Sequence, residues 1–414
     1  MKILLINYSD YLGGSGIASK RLAEALNKAG HKATLGVLRK RTDSPFVTEL
    51  PKNENFEKQN AKIIKKSMLK TTNSATHSMN RLSRLNVNKI NAFDCDIVHI
   101  GCINGSTISI EDIAKIKKPI VWTLRDLWPI CGAEHYPNIL ENDRRFIDGY
   151  TKENFPKTSS GRDICRLTWE RKKRAWKNLV FTWTALSNFQ VKLLVDSALF
   201  KGQNVDVIPN IIPTEIFKPL NKIAIRKIFN IPLNKKIIGF SSFSQVDGKK
   251  NIKGTWFLLN ALKKISNKNN YLAMIIGPTE ENFLDSLPIK AISTGSISDE
   301  RILAALYNSC DCFVVPSIIE TFCNVVYEAL ACEIPVIAFN VHAMPDAITH
   351  KQTGYLAKPF QTKDLFDGIL YCLQNQKLLK KQIHKSNKAK FNEKATVEKY
   401  LQVYKAAIKK HSSN

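Results

Sequence analysis

Two glutamates, Glu320 and Glu328, flank the predicted start of a helix within residues 311–345. The first N–H groups of a helix have no intrahelical acceptor and lie at the positive end of the helix dipole. They can therefore bind an anion, while a carboxylate on either side can accept hydrogen bonds from sugar hydroxyls. The expected ligand is a nucleotide diphosphate sugar, with its diphosphate on the N–H groups of Phe322, Cys323, Asn324 and Val325.

Two apolar runs enclose this predicted helix and fit strands that are buried on both faces. The first run is residues 312–315, closed by Pro316, and the second is residues 335–339. The helix is expected from about residue 324 to residue 332. Strand, loop, helix and strand in this order are typical of a parallel α/β sheet.

The E-x7-E spacing, with the strand PVIAF at residues 335–339, resembles the donor site of the GT-B glycosyltransferases of family 4. Residues 94–136 resemble one branch of that family, the bacterial polysaccharide glycosyltransferases of capsule, exopolysaccharide and O-antigen synthesis, whose usual text is DIVHLHW…WTLHDMWPFTGGCHY. This chain departs from that text, because Arg125 stands where many members have His and Glu134 replaces a cysteine. The polar segment 142–157 replaces a cysteine cluster and is expected to be an acceptor-side loop, so acceptor specificity cannot be carried over.

The resemblance implies a GT-B fold, with two doubly wound Rossmann-like α/β domains facing each other across a cleft. Residues 1–205 would form the acceptor-side domain, with a final helix at about 394–414 packing back on it. Residues 206–393 would bind the nucleotide sugar; three prolines within residues 209–219 fit the boundary.

A glycine-rich loop, residues 10–16, follows the first predicted strand at 2–8 and precedes a helix predicted at 17–29. Gly14 and Gly16 can bring backbone N–H groups to a phosphate, or they can serve a tight turn that needs positive φ. The loop is not the dinucleotide fingerprint, because its third glycine position is Ser19. A nicotinamide enzyme is thus disfavoured. In the resembled family this loop faces the donor diphosphate and the acceptor.

Other donor-binding residues follow from the resemblance. Lys253, before the helix predicted at 255–265, matches a family lysine that binds the donor phosphates, and Lys249 or Lys250 would replace a family arginine. Residues 292–299 resemble the loop whose backbone reads the nucleobase. This loop includes Thr294, Gly295 and Ser296, and Asp299 or Ser298 is expected to cap the next helix.

The formal charge of +26 could indicate nucleic acid, an anionic membrane or an acidic ligand. No helix-turn-helix, zinc-finger or aromatic RNA-binding signature accompanies it, so we expect no nucleic-acid partner. Within the basic stretch 39–90, Phe56, Ile63, Ile64, Met68 and Leu69 punctuate a lysine-rich helical pattern. Such a helix can lie on anionic lipid or be a solvated helix packed on the domain.

Nine cysteines without a zinc spacing predict a reduced, cytoplasmic chain without disulfides. No apolar run reaches the roughly 18 residues of a transmembrane helix, and the N-terminal run is too short for a signal peptide. Asp94-Cys95-Asp96 is the D-x-D metal motif of another glycosyltransferase fold, but here it directly precedes an apolar strand at 97–100. We therefore interpret it as the start of a strand and expect no metal and no cofactor.

The predicted function is a retaining, metal-independent hexosyl- or N-acetylhexosaminyl-transferase. It would move a sugar to a hydroxyl of a glycan or lipid-linked acceptor in bacterial surface polysaccharide synthesis. Lys253, the helix N-terminus and Arg125 would stabilise the leaving diphosphate, Glu328 would bind the ribose, and Glu320 would hold the donor sugar. Asp126 would orient the acceptor or stabilise positive charge at the anomeric carbon. The alternatives are a nucleotide-sugar 2-epimerase, a phosphorylase, or a basic binding protein without catalysis.

Overall fold

The computed structural model describes residues 1–53, 56, 69–138, 141–241, 252–279 and 281–413. These residues divide into two compact units. One consists of Met1–Ile211 with Glu393–Asn414, and the other is Ile212–Asn392. Among the helices within these bounds, none is long and apolar enough to cross a membrane.

A seven-stranded parallel sheet forms the centre of the first unit, in the order β3-β2-β1-β5-β6-β8-β9. Two further strands, β4 and β7, form a separate antiparallel pair of two residues each. The strands of this unit are β1 Lys2–Ser9, β2 Lys32–Arg39, β3 Val47–Glu49, β4 Leu69–Lys70, β5 Ile97–Ile100, β6 Ile120–Thr123, β7 Ser160–Gly161, β8 Phe181–Ala185 and β9 Val205–Val207. The inner strands are buried on both faces, as their unbroken β-branched and aromatic runs predict.

Helices cover this sheet. They are α1 Gly13–Lys28, α2 Val87–Asn91, α3 Ile110–Ile113, α4 Arg145–Asp148, α5 Ile164–Ala175, α6 Asn188–Asp196 and, from the far end of the chain, α15 Glu393–Ser412. Helix α15 packs Val397, Tyr400, Val403 and Tyr404 into the core of β1, β2 and α1. The Tyr404 hydroxyl bonds to Nδ1 of buried His99 on β5 at 2.7 Å, and Nε2 of His99 bonds to Thr123 Oγ1 at 2.7 Å.

The second unit has a six-stranded parallel sheet in the order β12-β11-β10-β13-β14-β15. Its strands are β10 Lys236–Ser241, β11 Tyr271–Ile276, β12 Ala291–Ser293, β13 Cys312–Val315, β14 Val336–Phe339 and β15 Gly354–Ala357. Its helices are α7 Lys222–Ile228, α8 Thr255–Leu262, α9 Glu281–Asp285, α10 Glu300–Ser309, α11 Asn324–Ala331, α12 Met344–Ala347, α13 Thr362–Gln374 and α14 Gln376–Lys390.

In each sheet the first strand lies in the middle, the next strands are added outward on one side, and the later strands are added on the other side. The direction in which strands are added therefore reverses once in each sheet. The reversal lies between β1 and β5 in the first sheet and between β10 and β13 in the second. Loops that follow the two strands at such a point diverge and leave a crevice at the carboxyl edge, where open α/β sheets bind ligands. The predicted fold class, an α/β chain with two doubly wound Rossmann-like units, is confirmed.

One predicted boundary is wrong. Helix α1 begins at Gly13 rather than at residue 17, so Gly14 and Gly16 lie in its first turn and not in a loop. A Cβ on Gly16 would lie 2.8 Å from the Ser9 carbonyl oxygen and 2.9 Å from the Tyr11 nitrogen. The glycine therefore lets the first helical turn pack directly on the end of β1.

The interpretation of the D-x-D motif as a strand start agrees with the structure. Asp96 accepts a hydrogen bond from the backbone N–H of Lys2 at 2.7 Å, and Asp94 forms an exposed ion pair with the Lys2 ammonium at 2.8 Å. The basic helical pattern with Ile63, Ile64 and Met68 lies outside the described residues. So do Lys249 and Lys250.

Candidate functional site

Lys253 and Glu320 meet at the point where the second sheet reverses. Lys253 precedes α8 in the connection from β10, and Glu320 lies in the loop after β13. The Lys253 Nζ donates to Glu320 Oε1 at 2.7 Å, and the two side chains are 49% and 12% exposed. The Ser317 hydroxyl donates to the same carboxylate oxygen at 3.0 Å. The close carboxylate raises the pKa of Lys253, so the ammonium stays charged.

Close backbone contacts hold this ion pair in place. The Ile318 N–H donates to the Ile252 carbonyl at 2.8 Å, which joins the two loops directly. Gly254 has φ +70°, and a Cβ there would lie 1.9 Å from the Pro316 carbonyl oxygen. Only glycine fits this position, and its absence of a side chain lets Lys253 approach the loop of Glu320.

The N-terminus of α11 is next to the ion pair. The helix begins at Asn324, and its N-cap residue Cys323 has φ +65° and makes no side-chain capping hydrogen bond. The first helical N–H groups are therefore those of Asn324, Val325 and Val326, and the Val326 N–H donates to the Cys323 carbonyl at 3.0 Å. Cys323, Asn324 and Val325 are half-buried, so ligand could reach them. Phe322 is buried, and its ring stacks on Tyr327 with centroids 4.1 Å apart.

Glu328 is more enclosed than Glu320. It is 4% exposed, and its Oε2 accepts a hydrogen bond from the Tyr307 hydroxyl at 3.0 Å. Both Glu320 and Glu328 act electrostatically on the Cys323 thiol, and burial with these carboxylates raises its pKa. Both acids thus surround the start of α11, although one carboxylate oxygen of Glu328 serves a core tyrosine. The ribose-binding role of Glu328 stays a prediction.

The predicted nucleobase loop follows β12 on the same edge of the sheet. The Thr294 hydroxyl accepts from the Gly277 N–H at 3.1 Å, and the Thr294 N–H donates to the Ile275 carbonyl at 3.0 Å. Gly295 has φ +66° with open space around it. Ser296 is exposed. Further on, Asp299 rather than Ser298 caps α10, since its carboxylate accepts the Arg301 N–H at 2.7 Å.

In the first unit, Asp126 follows β6 and forms a polar cluster. Its Oδ2 accepts from Asn104 Nδ2 at 2.5 Å and lies 3.3 Å from His135 Nδ1, and its Oδ1 accepts the Trp128 N–H at 3.1 Å. His135 Nε2 bonds to the Ser78 hydroxyl at 2.9 Å. Burial raises the pKa of Asp126 and lowers that of His135. A neutral imidazole that donates from Nδ1 to the carboxylate and accepts at Nε2 from Ser78 satisfies both contacts.

Arg125 is almost completely buried. One of its Nη atoms donates to Asn210 Oδ1 within the same unit, and burial lowers its pKa. Because the residue is only 9% exposed and bonds to Asn210, much of its guanidinium is used in packing within this unit. The predicted contribution of Arg125 to the leaving group stays a prediction.

Sequence reasoning missed three polar neighbours of these sites. Asn104 and His135 contact Asp126, and His342 follows β14 beside Glu320. The Ala343 N–H donates to the Glu320 carbonyl at 3.4 Å, and burial lowers the pKa of His342 to about 4 although Glu320 opposes this shift. Their position in the sequence could have revealed them, because each of the three follows a strand at the carboxyl edge of its sheet.

Residues 221–389 match the family model "Glycosyl transferases group 1". The match lies within the second unit and includes Lys253, Glu320 and Glu328. This match supports the predicted glycosyltransferase for residues 221–389, and the activity of the whole chain stays a prediction. Membership of family 4 and of its polysaccharide branch stays a prediction.

Two relatives illustrate the sequence similarity. The D-inositol 3-phosphate glycosyltransferase of Mycobacteroides abscessus is 28% identical over 178 residues, covering 40% of this chain and 38% of that protein. An uncharacterized 41.2 kDa protein in the cps region of Klebsiella pneumoniae is 25% identical over 225 residues, covering 54% of this chain and 60% of that protein. The chain thus spans less than two thirds of the length of these relatives.

A solved structure extends the similarity of fold to the whole chain. HepE of Anabaena, in complex with UDP-glucose, aligns with a TM-score of 0.62 at 15% identity, covering 100% of both chains. At this identity the likeness concerns the fold.

Proposed function

We propose that this chain is a glycosyltransferase that moves a sugar from a nucleotide diphosphate sugar to an acceptor hydroxyl. The observation that carries the proposal is the Lys253–Glu320 ion pair beside the N-terminus of α11, at the reversal point of the second sheet. This arrangement lies within the segment that matches the glycosyltransferase model. A charged ammonium and outward helical N–H groups suit a diphosphate, and a neighbouring carboxylate suits a sugar.

The diphosphate is the leaving group, so negative charge grows on its oxygens as the glycosidic bond breaks. An ammonium has three N–H donors, and Glu320 accepts one from Lys253. The positive charge of Lys253 can attract phosphate oxygens, and the N–H groups at the start of α11 add a positive potential. Groups fixed in advance at the site of developing charge are usually the largest electrostatic contribution to catalysis.

Glu320 would hold the hydroxyls of the donor sugar with its second oxygen while its first oxygen orients Lys253. Glu328 would bind the ribose, and the backbone of Thr294, Gly295 and Ser296 would contact the base. Gly14 and Gly16, in the first turn of α1, would face the diphosphate and acceptor. The reaction would retain the anomeric configuration, with the acceptor proton passing to a donor phosphate oxygen on the same face. No metal would be needed at the diphosphate.

Asp126 would act on the acceptor side. Its contacts with Asn104 and His135 fix the carboxylate in one orientation, so it could position an acceptor hydroxyl or stabilise positive charge at the anomeric carbon. Arg125, next in sequence and buried, would add a fixed positive charge.

The acceptor would be a glycan or a lipid-linked sugar of a bacterial surface polysaccharide. The similarity to a protein in the cps region of Klebsiella pneumoniae supports this choice, as does the sequence resemblance of residues 94–136. Such a chain would work in the cytoplasm, at the inner face of the cell membrane.

A nucleotide-sugar panel tests the activity. The full chain is incubated with UDP-, GDP- and dTDP-sugars with and without glycan acceptors, and the released nucleoside diphosphate is measured. Acceptor-stimulated release supports a transferase. A 2-epimerase would instead convert the nucleotide sugar into its C2 epimer without a glycan, which NMR detects, and a phosphorylase would depend on added phosphate. Binding without any turnover of the whole panel would favour a basic binding protein.

Membrane docking has a separate test. The formal charge of +26 predicts that the chain floats with vesicles that contain anionic lipid and not with neutral ones. Flotation should weaken as salt screens the charges. Absence from the anionic vesicles at low salt would remove the membrane proposal and leave the transferase proposal intact.

A further inference from the structure

Three side chains of different chemistry converge in the first unit, next to the residues that hold Asp126. One ligand atom each from His77, Glu134 and Cys165 lies within 4.8 Å of the other two. Histidine nitrogen, carboxylate oxygen and cysteine sulfur are the ligand types that zinc accepts in proteins. The cluster is independent of the donor site, and the proposed function does not use it.

Glu134 supplies a second indication of a ligand. The residue is 2% exposed, and its Oε1 accepts a short hydrogen bond from the Tyr150 hydroxyl. Its Oε2 is buried, and no hydrogen bond to it is found among the described residues. A buried charged oxygen without a strong partner is costly. A cation, or a proton, would remove that cost, and the nearby Cys165 thiol is only a weak donor.

The cluster borders an accessible cavity of about 260 Å³. Its wall carries more carboxylates than guanidinium groups. Besides Glu134 it includes Glu141, Asp143 and Asp148, set against Arg144 and Arg145. The carboxylate of Glu134 contributes to raising the pKa of Asp143, after burial. An excess of negative charge attracts cations, and the open side leaves room for a water molecule as an additional ligand.

Backbone contacts fix the three ligand residues to one another. His77 and Glu134 form an isolated antiparallel bridge, flanked by hydrogen bonds from the Ser78 N–H to Ala133 and from the His135 N–H to Thr76. A Cβ on Gly132 would lie 2.5 Å from the Cys165 carbonyl oxygen, so this glycine lets the two segments touch. The frame is therefore present in the protein chain itself.

Lys172 reinforces this frame from the same helix as Cys165. Its ammonium donates to the carbonyl oxygens of Trp128, Cys131 and Gly132. All three of its donors are used, which favours the charged form although burial lowers the pKa of Lys172 to about 7.

We propose that His77, Glu134 and Cys165 bind a zinc-type divalent cation, with water from the cavity as the fourth ligand. Zinc–ligand bonds of about 2.0–2.3 Å separate tetrahedral ligand atoms by roughly 3.3–3.8 Å, so side-chain shifts of about 1 Å close the site. Coordination converts the Cys165 thiol to a thiolate and releases its proton to solvent. No oxidation is involved.

The metal would act as a clamp and not as a catalyst. Glu134 directly precedes His135, which contacts Asp126, and His77 directly precedes Ser78, which bonds to the same imidazole. Fixing the His77–Glu134 bridge therefore fixes the second pair as well. Loss of the metal should loosen the Asp126 cluster without touching the diphosphate site of the second unit.

Cobalt is the probe for the test, because a thiolate bound to Co²⁺ gives a charge-transfer absorption band. The purified full chain, reduced and stripped by a strong chelator, is titrated with Co²⁺ and then with Zn²⁺. We expect one equivalent of cobalt, a charge-transfer band, and displacement by zinc. Lack of a band in the wild-type protein would overturn the proposal, since the thiol would then be a hydrogen-bond partner of Glu134 only.

Variants assign the ligands. Cys165→Ser should abolish the charge-transfer band, whereas Cys95→Ser should leave it unchanged; the two cysteines are 6% and 5% exposed, so the control matches in burial. His77→Ala, at a half-buried position, should keep the band and weaken cobalt affinity by at least about tenfold. A band that persists in Cys165→Ser, or an unchanged affinity in His77→Ala, would contradict the site. The second variant remains informative if the first fails to fold.

Discussion

Replacement of Lys253 by alanine tests the proposed diphosphate site most directly. At 4 Å, two unit charges interact by about 4 kcal/mol at an effective dielectric of about 20 and by about 1 kcal/mol in bulk water. The Lys253 side chain is 49% exposed, so an intermediate value of about 2 kcal/mol is appropriate. If this energy is realised in the transition state, kcat/KM should fall roughly 30-fold.

The fold should survive this change. Exposed or half-exposed ion pairs contribute about 0–1 kcal/mol to stability, so the Tm of Lys253→Ala should stay close to that of the wild type. The assay is initial-rate release of nucleoside diphosphate with the best donor of the panel, at several salt concentrations. Wild-type kcat/KM in a folded Lys253→Ala protein would refute the role of this lysine.

The same unit contains a matched control. Lys380 forms an ion pair with Glu333 at 3.7 Å, and these side chains are 56% and 7% exposed, similar to the 49% and 12% of Lys253 and Glu320. Lys380→Ala removes one positive charge of the same kind from the same unit, and its kcat/KM should stay within about twofold of the wild type. An equal loss in both variants would mean that net charge, and not placement, produces the effect.

A double-mutant cycle separates two roles of Glu320. If its carboxylate acts only by orienting Lys253, Glu320→Gln should have little further effect in the Lys253→Ala background. If it also holds the donor sugar, part of its effect should persist there. Strict additivity of the two losses would contradict the view that the ion pair works as a unit.

Three further predictions concern other parts of the chain. Burial raises the pKa of Asp126 above the usual 3.8. Activity that needs this carboxylate should therefore be lost as pH falls through the raised value, and a pH–rate profile should show this loss on the acid side. Asp126→Asn should lose most activity at every pH. Gly254→Ala should lower Tm clearly, because its Cβ would lie 1.9 Å from a carbonyl oxygen. Gly295 has a similar φ of +66° but open space around it, so Gly295→Ala should lower the free energy of unfolding by only about 1–2 kcal/mol. When excess EDTA is added at the start of the assay and no divalent metal is supplied, turnover should persist while the proposed cation of the first unit is still bound. Loss that manganese restores within that time would contradict a metal-independent transfer.

Strand positions were the most predictable part of the fold. Runs such as those of β5, β13 and β14 are apolar and β-branched because these strands are buried on both faces, and their predicted bounds differ by one residue at most. The start of α1 was not predictable in the same way. Gly16 is needed for a close approach to Ser9, and sequence alone does not distinguish that requirement from a loop.

The contacts between site residues were less predictable than the identity of those residues. Lys253 and Glu320 are 67 residues apart, and their contact depends on both following strands at the reversal point of the sheet. His342 and Asn104 carry no motif of their own, so only the order of the strands places them. The Asp299 cap could be predicted, because helix capping depends on local sequence.

The hydrogen bond between His99 and Tyr404 joins residues 305 positions apart, and this has a consequence for synthesis on the ribosome. Strand β5 is made before the second unit, but the tyrosines that cover its imidazole are made after it. All of Ile212–Asn392 emerges before them and can complete its own core first. The first unit can therefore mature only after the second has been made, and nascent chains keep an incompletely covered sheet until helix α15 emerges.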